Sequence, residues 1–137
     1  MRHVIASLCA AAALSSTMGA RAESLEPIRR GFAQMLYEDA GPDINRGAPQ
    51  PLLRAVVVLR VRLNELGRWT AEVIRENDEQ PELTRKALAS VAHLEKSLAM
   101  SAAAAEQVRR EGFMEVWLFQ NDGRFALKTL ALPQRGS

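Results

Sequence analysis

The chain has 137 residues, 18 of them Lys or Arg against 16 Asp or Glu, and its 47% hydrophobic content is ordinary for a folded domain. Arg2 and Arg21 lie in a stretch that holds no acidic residue, residues 1–22, so the remainder balances at 16 of each sign. That balance, with the signs interspersed, excludes the electrostatic footprint of a nucleic-acid binder, where clustered Lys and Arg must offset a dense row of phosphates. Cys9 is the one cysteine, so beyond residue 22 no disulfide or thiolate metal site is available.

Residues 1–22 read as a secretory signal. Arg2 and His3 form the basic end, residues 4–14 the apolar stretch, and Ala20 and Ala22 supply small residues at the two positions a signal peptidase reads. A bilayer core needs roughly 20 apolar helical residues, so residues 4–14 are too short for a permanent anchor. The expectation is cleavage between Ala22 and Glu23 and a periplasmic or secreted product with no stable membrane anchor.

Residues 23–51 are expected to form a short amphipathic helix and a linker. Leu25, Ile28, Phe32, Met35 and Leu36 recur at steps of three and four, with Ser24 as an N-cap and Glu26 and Pro27 suited to the first turn. Gly41, Pro42, Gly47, Pro49 and Pro51 then interrupt any helical ladder.

Two readings compete for the next segment. Leu52, Val56, Leu59, Leu63, Leu66 and Val73 follow helical steps, whereas Val57, Leu59, Val61 and Leu63 alternate with Arg60, Arg62 and Asn64 as on a half-buried strand. The helical pattern continues further, through Trp69 and Ile74, and favours a long helix, with Gly67 a weak point in either case. After the polar run 76–80, Pro81 opens a second long helix in which Leu83, Ala87, Val91, Leu94, Leu98, Ala102, Ala105 and Val108 trace one side up to Gly112.

Beyond Gly112 the period becomes two: Met114, Val116 and Leu118 alternate with Glu115, Trp117 and Phe119. Asn121, Asp122 and Gly123 suit a hairpin turn, and Phe125, Leu127 and Thr129 resume the alternation. A turn centred on Asp122 and Gly123 sets Leu118 opposite Leu127 and Val116 opposite Thr129. The expected fold is therefore α+β and helix-dominated: two long antiparallel helices plus a short N-terminal helix, with a C-terminal β-hairpin, the core spanning 52–132 and a disordered tail 133–137.

No residue pattern carries an enzyme, metal or cofactor assignment. His93 shares a helical face with Ser90 and Ser97, yet no carboxylate on that helix is spaced to orient it, as nucleophile chemistry requires. The acidic run Glu76, Asp78, Glu79 and Glu82 lacks the alternate ligands and central glycine of a calcium loop. Arg54, Arg60, Arg62 and Arg68 read as a solvated flank ion-paired to Glu65 or Glu72.

A lone ribbon is marginal in water, and both faces of this one are apolar, so one of them needs a cover. Trp117 and Phe119 either bury within the molecule or meet a partner or a second copy. These points favour a non-catalytic accessory or inhibitor protein that binds another protein through its helical surface and hairpin. The alternative is a small-ligand module whose apolar pocket draws on Trp69, Trp117, Arg60 and His93.

Overall fold

A computed structural model describes residues 24–134; the signal reading of 1–22 and the last residues of the expected tail lie outside them. Helix α1 (Glu26–Ala40) leads through a 3-10 turn (Gly41–Asp43) to strands β1 (Ala55–Leu63) and β2 (Trp69–Arg75). Helices α2 (Pro81–Ala92) and α3 (Ala102–Arg110) follow, then β3 (Phe113–Phe119) and β4 (Phe125–Leu127). The strands form one antiparallel sheet in the order β2-β1-β3-β4. Among the described residues no helix is long and apolar enough to cross a membrane.

The chain is α+β, but the helix-dominated architecture with two long helices is overturned. Residues 55–75 form a β-hairpin, so the alternating pattern decides this segment. Val57, Leu59 and Val61 face inward, fully covered, while Leu52 and Leu66, which the helical reading also placed in the core, are exposed. The run Val56, Val57 and Val58 is stiff at χ1 and packs better on a pleated surface than in a helix. The turn is made by Asn64, whose side chain accepts from the backbone N–H groups of Leu66 (2.9 Å) and Arg68 (3.0 Å). Gly67 (φ 78°) supplies the left-handed residue.

The expected second long helix is broken in two. After Ala92 the chain runs without helix to Ser101, which caps α3 by accepting from the Ala104 N–H at 3.0 Å. Leu94 still reaches the core. No glycine or proline marks the break; its cause is tertiary, since the open backbone frees the Lys96 carbonyl to accept from Trp69 Nε1 at 3.1 Å. Gly112 (φ 68°) ends this region as expected, and a side chain there would drive its Cβ into the Val61 carbonyl oxygen.

The C-terminal hairpin exists, but its register and setting differ from expectation. Trp117 pairs with Leu127, Leu118 with Ala126 and Phe119 with Phe125, one residue away from the expected pairing. A one-residue slip exchanges faces, so Leu127 joins Trp117 and Phe119 on the inner side. The loop 120–124 is closed by Gln120 N–H donating to the Arg124 carbonyl (2.9 Å) and Gly123 N–H to the Gln120 carbonyl (3.0 Å). The hairpin is not a lone ribbon, because β3 also pairs along its length with β1.

The core lies between the inner face of the sheet and the helices. Phe32 of α1 meets Trp69 and Phe113 edge-on at 5.1 and 5.4 Å, and Phe119 packs on Phe125. The expected linker is tied down: Ile44 is buried beside β4, and Asn45 N–H donates to the Phe125 carbonyl at 2.7 Å. Helix α1 is thereby packed on the core, and its Tyr37 hydroxyl accepts from the Leu127 N–H at 2.9 Å.

Candidate functional site

Alternation on the central strands exposes a second apolar surface. Val58 lies opposite Val116, and Val56 opposite Leu118, so four branched side chains form a block in the middle of the outer face. The helices cover the other parity of each strand, and these four remain only half-buried. Leu53 and Leu132 wall the block into a groove of about 510 Å³. Arg75 and Lys128 stand at its rim, and neither makes an ion pair among the described residues. Met114 and Ile74 extend the apolar character, each more than a third exposed.

The residues singled out in the sequence are not brought together. Trp117 and Phe119 are both 0% exposed, which corrects the expectation that they form a contact surface or line an open pocket. Trp117 Nε1 donates to Ser90 Oγ at 3.1 Å, so even its polar atom is used inside. Trp69 is likewise buried. Arg60 lies on the outer face, where its guanidinium donates to the Glu111 carbonyl (3.0 Å) and approaches Glu72 (3.7 Å). Arg62 also pairs with Glu72, at 2.8 Å, as the ion-paired reading of these arginines predicts. His93 is exposed at the end of α2, in a cleft shared with Asp39 and Asp43. Ser90 bonds Trp117 and the Ala87 carbonyl, not His93.

One functional group was missed. Glu115 sits on the inner face of β3 with only 2% of its surface exposed. Its Oε1 accepts from the N–H groups of Val116 (2.9 Å) and Thr129 (3.4 Å), while Oε2 is buried with no hydrogen-bond partner in the protein. Burial pushes the Glu115 carboxyl up; the Thr129 side chain, the two backbone N–H groups and the Arg29 charge oppose the rise without cancelling it. Tyr37 is pushed up as well, first by burial. A signal was present in the sequence, because Glu115 has the same parity as Trp117 and Phe119 and must turn inward with them. Among the described residues no three or more His, Cys, Asp or Glu gather as a metal site.

Comparison with protein-family models, with curated proteins and with solved structures finds no match. The site is accordingly defined by its geometry: an apolar, cation-rimmed outer groove, and a buried carboxyl behind it on the same strand.

Proposed function

We propose that the chain is an exported, non-catalytic accessory protein that binds another protein through the outer face of its sheet, with β3 of the C-terminal hairpin at the centre. The partner's contacting surface carries apolar side chains bordered by carboxylates. The observation behind this reading is the block of Val56, Val58, Val116 and Leu118, open to water between Arg75 and Lys128. An apolar centre with a charged rim is the anatomy of a protein–protein contact, and cations around an apolar centre select a partner of complementary charge. The periplasmic location rests on the leader pattern of residues 1–22.

A photo-crosslinking side chain at Val58, with His93 as the control position, tests the reading in the native host. The expected result is one discrete heterologous adduct from position 58, none from 93, and loss of the adduct when Val116→Glu is added to a chain that keeps its melting temperature. An adduct of two copies of this chain, equal adducts from both positions, or none at all would contradict it. Mass spectrometry of the envelope fraction tests the location, with Glu23 expected as the first residue and an intact Met1 contradicting it.

A further inference from the structure

The sheet has two edges, and the fold treats them differently. At β4 the outward backbone is in use: Asn45 N–H donates to the Phe125 carbonyl at 2.7 Å, Leu127 N–H donates to the Tyr37 hydroxyl at 2.9 Å, and Ile44 bridges to Phe125. At β2 there is no such cover. The strand is seven residues long, it pairs with β1 on one side, and among the described residues no backbone hydrogen bond reaches its other side.

Hydrogen-bonded and non-bonded pairs alternate along an antiparallel ladder. The first hairpin closes with Asn64 N–H donating to the Arg68 carbonyl at 2.9 Å, so Thr70 opposite Arg62 and Glu72 opposite Arg60 take the next bonds to β1. Ala71 and Val73 therefore turn their N–H and C=O groups outward. Trp69 shares their parity but is 4% exposed, whereas Ala71 and Val73 each keep part of their surface in water. Open edges are usually blunted by lysine, proline or short length. From Trp69 to Val73 the strand has no proline and no lysine, and its one charge, Glu72, is held by Arg62 at 2.8 Å and Arg60 at 3.7 Å of its own chain.

We propose that β2 pairs antiparallel with β2 of a second copy of this chain, Ala71 of each lying opposite Val73 of the other across a two-fold axis at Glu72. This register draws its hydrogen bonds from Ala71 and Val73 alone; the alternative, Ala71 opposite Ala71, relies on the covered backbone of Trp69. Like charges set opposite each other cost stability, and here each Glu72 arrives already compensated by two guanidinium groups. On the inner side Ala71 and Val73, which pack at the border of the core, cover their counterparts with apolar surface. The pairing uses the open edge of both copies and leaves only the covered β4 edges outside, so association closes at the dimer instead of growing into a fibre. The block of Val56, Val58, Val116 and Leu118 stays uncovered, separated from the second copy by β2, so this pairing goes beyond the partner binding proposed above and is read out independently of it.

Sedimentation equilibrium over a concentration series, with backbone amide exchange followed by NMR, tests the pairing. A reversible monomer–dimer equilibrium is expected, in which the Ala71 and Val73 amides exchange more slowly as the dimer fills, whereas those of Thr70 and Glu72, bonded to β1, are slow throughout. Ala71→Pro removes an N–H that β1 does not use, so the melting temperature of the dilute protein holds while dimer affinity falls by at least about tenfold. Ala71→Lys keeps the backbone and brings two ammonium groups beside the axis; it weakens the dimer on the same scale and decides the matter if the proline variant fails to fold. A monomer at every concentration, a dimer whose Ala71 and Val73 amides stay unprotected, or a dimer indifferent to the folded substitutions would each overturn the proposal.

Discussion

On β1, Val57, Leu59 and Val61 are fully covered, whereas Val56 and Val58, in the same run of valines, keep part of their surface in water. The same contrast recurs on β3 between Trp117 and its neighbours Val116 and Leu118. Residue type does not separate the two faces, since both are apolar through the middle of the sheet. What separates them is the position of the helices, all of which send their buried residues to the inner side. An apolar inner face is needed for folding; an apolar outer face of similar character is not, and this difference is the reason for assigning the outer face to binding.

The largest expected effect comes from truncating the inner face. Trp117→Ala removes the largest fully buried side chain and orphans its contact with Ser90, and urea unfolding should show a loss of about 3–5 kcal/mol. Met114→Ala, three residues earlier on the outer face, should cost less than about 1 kcal/mol. Equal losses would break the distinction between the faces.

Adjacent valines give a finer comparison. Val57→Thr buries a hydroxyl among side chains that offer it little, and should cost about 1–3 kcal/mol. Val58→Thr keeps the branched shape with access to water, and should stay within about 0.5 kcal/mol of the parent. Thermal melts of the two variants side by side check the prediction.

Glu115 is the polar exception on the inner face and makes the smallest prediction. Its carboxyl is raised above the ordinary value of 4.5, so the folded state holds the proton more tightly than the unfolded chain. The stabilising contribution of that proton is complete below the ordinary value, and it is lost as pH rises through the raised one. Glu115→Gln should flatten this part of the stability–pH curve, read from urea midpoints; an unchanged slope would place the pH dependence elsewhere.

The legible parts of the sequence were those where one local signal acted alone. The face of α1, Pro81 at the start of α2, Gly112 as a stop and the existence of the last hairpin all follow from spacing and turn chemistry. The first hairpin was not recovered because Leu52, Leu59, Leu66 and Val73 fall at helical steps by coincidence, and two of these four are exposed in loops. The break after Ala92 has one local signal, Ser101 as the N-cap that starts α3, which the continuous apolar spacing across 83–108 masked; the contact between Trp69 and the Lys96 carbonyl joins residues from separate elements and leaves no local trace. The slipped register at 120–124 moved Leu127 to the inner face. With β1 absent from the expected sheet, the hairpin was a lone ribbon with two apolar faces, so Trp117 and Phe119 read as either buried within the molecule or meeting a partner; the core they share with Phe32, Leu36 and Val91 settles them as buried. The outer groove was illegible for the same reason, because Val56 and Val58 meet Val116 and Leu118 only when β1 and β3 are paired.

The two faces of the sheet differ above all in access to solvent, and thiol labelling measures that. Cys9 is the sole cysteine of the sequence and falls within the expected leader, so single Val57→Cys and Val58→Cys substitutions in the processed chain report without interference. A small thiol reagent is expected to modify position 58 readily in the folded protein and position 57 only as the protein unfolds. Comparable protection at both positions, or faster reaction at 57, would contradict it.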